Sequence, residues 1–224
     1  MGRMLVASAI VASVLVMAAP SVRAQGKQVL FEIEEGGKVG FIDASGKVVV
    51  PPRFEGARGK FREGFVRVEA KDGWGFVENT GRVIEPRYDA NDEFSEGLAR
   101  VRSRKLWGYI DRSGKEVIAP RFEDSGDFHE GLAKVRLGGK WGFIDKAGKM
   151  AVEPAYKDAD DFSEGLARVK MDKKWGYVDK GGKLVIEARF SDADDFENGL
   201  ARVELDGRRA YVNKKGSLVW EQKK

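Results

Sequence analysis

The residues that could carry chemistry are carboxylates, and they recur. Acidic groups sit at Asp89/Asp92/Glu93, Asp124/Asp127, Asp158/Asp160/Asp161 and Asp192/Asp194/Asp195. Spacing of this density suggests calcium, but an EF-hand loop needs oxygen ligands at positions 1, 3 and 5, a glycine at 6 and a glutamate at 12. Counting from Asp158 or Asp192, position 5 is Phe162 or Phe196, so the pattern fails and no metal site is expected. Asp side chains capping turn N–H groups are the alternative reading. His129 is the single histidine and cysteine is absent. Ser-His-Asp, Cys-His and His-rich metal sites are therefore all unavailable. A glycosidase needs only two carboxylates, so a hydrolase of envelope glycans stays open. An active site usually breaks symmetry, however, and these acids are distributed over every unit. No glycine-rich loop opens a helix, which leaves nucleotide cofactors without support; none is expected.

The elements carrying these residues repeat. Trp74-Gly75-Phe76, Trp107-Gly108-Tyr109, Trp141-Gly142-Phe143 and Trp175-Gly176-Tyr177 mark a period of about 34 residues, flanked by degenerate copies at Val39-Gly40-Phe41 and Arg209-Ala210-Tyr211. After each triplet comes an acid-to-glycine turn, from Asp43 to Gly46 at one end to Asn213 to Gly216 at the other. Asp or Asn first and Gly fourth suits a type I turn closing a hairpin. The returning strand ends at Pro52, Pro86, Pro120 or Pro154, with Ala188 in the fifth unit. A polar connection then reaches Phe-x-x-Gly, with room for a single helical turn, and opens a strand of alternating character such as Leu98-Ala99-Arg100-Val101-Arg102.

Three strands per unit follow. The expected fold is all-β: tandem three-stranded antiparallel meanders stacked as an open curved solenoid, with a closed six-unit propeller-like ring as the alternative. Units begin at residues 39, 74, 107, 141 and 175, a partial unit spans 209–221, and a capping strand covers 28–35. The Trp column (Trp74, Trp107, Trp141, Trp175) is expected to form an inter-unit core, with an aromatic binding platform as its competitor.

This pattern, W-G-[FY]-[IV]-D-x-x-G-K followed by P-[RA]-[FY] and F-x-E-G-L-A-x-V, resembles the WG-repeat (Trp-Gly β repeat) family over residues 28–221. The resemblance implies a bacterial, commonly exported β-repeat protein with no shared catalytic residue set. Val39, Arg209, Ala210 and Ala188 depart from the pattern, all in the end units.

The first 24 residues read as a signal peptide: Arg3, an apolar run from Met4 to Ala19, and Val22-Arg23-Ala24 before the cut. Cleavage after Ala24 leaves one domain, 25–224, with 38 basic and 36 acidic side chains and no transmembrane segment. So even a mixture gives no footprint for nucleic acid. The expected protein is periplasmic or secreted, monomeric and non-catalytic, and binds a protein or an envelope polymer; a purely structural envelope role is the third possibility. Its candidate binding face is the column Arg67, Arg100, Lys134, Arg168 and Arg202, which project from one face in register.

Overall fold

The computed structural model describes residues 29–223, all of them in strands, turns and loops. The proposed signal peptide and its cleavage site lie outside these residues.

Six antiparallel sheets follow one another along the chain. The first has three strands: β1 (Phe31–Glu35), β2 (Lys38–Ile42) and β3 (Val48–Phe54). Four strands make the second, β4 (Gly56–Arg62), β5 (Phe65–Ala70), β6 (Gly73–Glu78) and β7 (Val83–Tyr88). The third comprises β8 (Ala90–Ser95), β9 (Leu98–Ser103), β10 (Leu106–Asp111) and β11 (Glu116–Phe122). In the fourth are β12 (Asp124–Ser125), β13 (Leu132–Leu137), β14 (Lys140–Asp145) and β15 (Met150–Tyr156). The fifth holds β16 (Asp158–Ala159), β17 (Leu166–Met171), β18 (Lys174–Asp179) and β19 (Leu184–Phe190). The sixth ends the chain with β20 (Asp192–Ala193), β21 (Leu200–Leu205), β22 (Arg208–Asn213) and β23 (Leu218–Glu221).

Five sheets thus carry a strand beyond the three read from the sequence. It lies in the polar connection, where backbone pairs such as Asp124↔Arg136 and Ser125↔Val135 form without apolar alternation. Each sheet is therefore built from the connection of one sequence unit and the triplet of the next.

The turns follow the sequence. Asp43 illustrates the acid-to-glycine type: Gly46 N–H donates to the Asp43 carbonyl at 3.0 Å, and Ser45 N–H to its carboxylate at 2.8 Å. The Phe-x-x-Gly segment is no helical turn. His129 and Leu132 exchange both backbone hydrogen bonds around Glu130 (φ 52°) and Gly131 (φ 86°), a two-residue hairpin of the type I′ kind.

Packing is between consecutive sheets. One face of each presents large residues, as with Tyr109, Ile118 and Phe122, against small ones from the next, Ala133, Val135 and Ile144. The same columns meet in the fifth sheet (Tyr177, Ile186, Phe190) and the sixth (Ala201, Val203, Val212). The centre of each interface is the aromatic two residues after Trp or, in the first sheet, after Val39: Phe41, Phe76, Tyr109, Phe143 and Tyr177 are all at most 1% exposed. Trp175 is buried, while Trp74, Trp107 and Trp141 are half-buried at the rim. The stack is open among the described residues, since its terminal faces are left uncovered: Phe31 of the first sheet is 49% exposed, and Tyr211 and Trp220 of the sixth are 39% and 52% exposed.

The glycine of each triplet has a steric reason. Trp141 pairs with Tyr156 but Phe143 pairs with Val152, so two residues of β14 oppose four of β15. The surplus arches over Gly142, where an added Cβ would lie 2.5 Å from the Val152 carbonyl oxygen and 2.8 Å from Pro154 N. Proline suits the arch because the bulged backbone donates nothing to the ladder. In the sixth sheet Ala210 pairs directly with Glu221, with no arch above it, and a Cβ is accommodated.

Candidate functional site

Two charged arrays run along the stack. The first is the basic column together with the acids of the connections. Arg67 reaches Asp92 at 3.4 Å, and Arg100 reaches both Asp92 (2.5 Å) and Asp127 (3.2 Å). Lys134 contacts Asp160 (3.0 Å) and Asp161 (3.7 Å). Arg168 bridges Asp160 (2.6 Å) and Asp195 (3.2 Å), while Arg202 is held by Asp194 at 2.6 Å. Each base before Arg202 meets an acid of the following sheet, and Asp92 and Asp160 each tie two bases together. The five basic side chains remain between 19% and 34% exposed. They are not a bare positive stripe; they form a mixed-charge ladder.

The ladder also covers the Trp column. Arg67 lies 5.1 Å from the Trp74 ring centroid, Arg100 4.9 Å from Trp107, Lys134 5.9 Å from Trp141 and Arg168 5.2 Å from Trp175. Each ring has a cation over its face, a cation–π contact that leaves no open aromatic platform there.

The environment sorts the acids. Burial would raise the Asp160 carboxyl, but the Lys134 hydrogen bond and the charges of Lys134 and Arg168 hold it below the usual range. Burial pushes Asp127 up despite Arg100, with Asp92 and Asp161 adding to the rise. Asp195 is likewise raised by burial against Arg168. A catalytic acid should be raised in one unit; here the raised carboxyl recurs in the fourth and sixth sheets, each time against an arginine. The other acids serve the turns: Asp124 and Asp158 accept the next residue's N–H at 2.8 and 3.0 Å. His129 Nε2 stands 3.6 Å from Asp161 Oδ2 at the ladder's edge. Among the described residues no group of three or more His, Cys, Asp or Glu could hold a metal.

The second array was not read from the sequence. The glutamate of each Phe-x-Glu-Gly turn reaches into the following sheet. Glu63 accepts from Gly97 N–H (2.9 Å) and Arg112 (2.8 Å). Glu96 accepts from Gly131 N–H and pairs with Lys146, Glu130 from Gly165 with Lys180, and Glu164 from Gly199 with Lys214, at 2.9–3.1 Å. Burial raises Glu63 and Glu96, but these bonds outweigh it and hold both low. Residues other than glycine at positive φ cost roughly 1–2 kcal/mol each. The latch gives that strained position a use. Its sequence signal is the constancy of Glu63, Glu96, Glu130 and Glu164 beside the constancy of a base at Arg112, Lys146, Lys180 and Lys214.

With this geometry in hand, a family model described as "WG containing repeat" matches residues 40–74, 74–107, 107–141, 141–175 and 175–208. The chain belongs to the WG-repeat family. No curated protein matches the sequence. Solved structures similar in fold to this WG-repeat chain include β-propeller proteins. A eukaryotic initiation factor superposes with a TM-score of 0.52 at 10% identity, over 86% of this chain and 62% of that one. Hsv2 of Kluyveromyces lactis gives 0.48 at 11% identity, over 82% and 70%. The WG-repeat chain thus spans less than two thirds of the initiation factor's length, and the likeness concerns the fold alone. No helix among the described residues is long and apolar enough to cross a membrane.

Proposed function

We propose that this WG-repeat protein is an exported, non-catalytic interaction module, periplasmic or secreted, whose mixed-charge ladder engages an extended protein or envelope polymer. The observation that carries the reading is the ladder itself. A base, arginine in four sheets and Lys134 in the other, recurs at one position of five consecutive sheets, partly exposed, and each before Arg202 is locked by an acid of the next sheet. Repeat proteins present extended surfaces at a fixed pitch, which suits a partner that is itself extended. Because every base is paired, the partner must offer both signs or exchange for existing pairs, and a polyanion such as nucleic acid is poorly served.

The test is capture from envelope extracts by immobilised protein, wild type against Arg100, Lys134 and Arg168 all changed to Ser. Circular dichroism checks that the variant folds. The same species should be retained by wild type, released by added salt and missed by a folded variant. Equal capture by both proteins at low salt would remove the ladder as the binding face.

A further inference from the structure

The two ends of the stack carry unmatched halves of the interface that is repeated inside it. On the sixth sheet the large-residue face consists of Leu200, Tyr211 and Trp220, in the columns that Leu166, Tyr177 and Ile186 occupy one sheet earlier. Tyr177 is fully buried and Ile186 is 3% exposed, whereas Tyr211 is 39% and Trp220 52% exposed, the two rings edge-to-face at 6.1 Å. On the first sheet the opposite face consists of Phe31, Ile33 and Ile42, in the columns of Ala99, Val101 and Ile110. Those three are fully buried inside the stack. Phe31 is 49% exposed, and Ile33 and Ile42 are half-buried.

Polar ends are what a repeat stack needs to stay solitary. Here both ends are apolar, and they are complementary rather than alike: one is the covering half and the other the covered half of the same contact. Their charges also differ: by strand alternation Glu35 shares the exposed face of Phe31 and Ile33, with Glu32 and Glu34 on the opposite face, whereas Arg209 of β22 shares the face of Tyr211. Arg208 is engaged by Glu221 at 2.9 Å, but Arg209 is exposed and makes no ion pair among the described residues.

We infer that the C-terminal sheet of one copy docks on the N-terminal sheet of a second copy, continuing the internal sheet-on-sheet packing from molecule to molecule. The contact is heterologous, head to tail, so it builds closed rings or open fibres according to the rotation per copy. It is independent of what the charged ladder binds, and it replaces the monomer expected from the sequence.

Sedimentation velocity of the purified protein across a concentration series tests this, with Phe31→Glu and Trp220→Asp as single variants. Both side chains are about half exposed, so both variants should fold, as their melting curves will show. Wild type should form species above monomer mass that grow with concentration, and each variant alone should stay monomeric. Mixed in equal amounts, the two variants should give a species of twice the monomer mass and nothing larger, because one keeps its C-terminal face and the other its N-terminal face. A wild type that remains monomeric overturns the proposal, as closure within one chain would produce. A variant that associates with itself, or a mixture that stays monomeric, overturns it equally. If a variant fails to fold, the wild-type series alone decides.

Discussion

Replacing Gly142 with alanine isolates the bulged arch from every other feature of the repeat. An added Cβ would sit 2.5 Å from the Val152 oxygen, 2.8 Å from Pro154 N and 2.9 Å from Glu153 C. All three are backbone atoms of β15, so no side-chain end can swing away, and the arch must lift off β14. Overpacking a core by one methyl costs typically about 1–3 kcal/mol, and a wholly backbone obstruction belongs at the top of that range. For a domain of this size each kcal/mol lowers the melting midpoint by about 2–4 °C, which gives a fall of about 6–12 °C. The counterpart is Ala210→Gly, where no arch exists; there the loss should be the intrinsic glycine cost of about 0.5–1 kcal/mol plus about 0.8 kcal/mol for the buried methyl, with nothing added for an obstruction. Thermal melting by circular dichroism reads both, and amide exchange should show the loss localised to β13, β14 and β15. A Gly142→Ala protein within about 1 kcal/mol of wild type would refute the argument, because the arch would then be soft and the Trp-Gly pair would have to be explained otherwise.

Trp175→Ala should cost about 3–5 kcal/mol as a buried large-to-small change, and the half-exposed Trp220→Ala clearly less; equal losses in denaturant melts would contradict the burial pattern. The acids should separate by the sign of their shifts. The lowered Asp160 contributes stability present above the ordinary value of 3.8 and lost as pH falls through its folded value, whereas for the raised Asp127 the contribution is present below 3.8 and lost as pH rises. At neutral pH, Asp160→Asn should therefore lower the melting midpoint while Asp127→Asn leaves it unchanged or raises it, and matching losses would argue against the assignment. Mass spectrometry of the exported protein should find Gln25 at its N-terminus; an intact Met1 in the membrane fraction would defeat the export reading.

Local features of the fold were legible because local chemistry makes them. The turn at Asp43 needs only an acid and a glycine three residues apart, and the alternating strands need only their own side chains. What escaped the sequence was set by distant partners. The third-position glutamates carry no local sign of their role, because Gly97 N–H and Arg112 lie 34 and 49 residues beyond Glu63. The basic column was visible as Arg67, Arg100, Lys134, Arg168 and Arg202, but its neutralisation was not: the acids that pair with it come largely from the connection of the following sheet. The Trp column was placed in the core by its apolarity; Trp175 is buried there, but the position along the strand leaves Trp74, Trp107 and Trp141 half-buried at the rim and gives the centre to the aromatics two residues on. The arch likewise depends on the register of β15 against β14, which no single strand encodes.

The glutamate latch has a consequence for how such a chain can change in length. Every latch closes between adjacent sheets, Glu63 to the third, Glu96 to the fourth, Glu130 to the fifth and Glu164 to the sixth, and the hydrophobic interfaces obey the same rule. Duplicating or deleting one whole period of about 34 residues in the middle would therefore leave each surviving junction with a partner of the same kind. Nothing in the interior counts the units. Size in this architecture is a free variable for gene duplication, and only the two terminal sheets, where the pattern loses its tryptophan, are fixed in place.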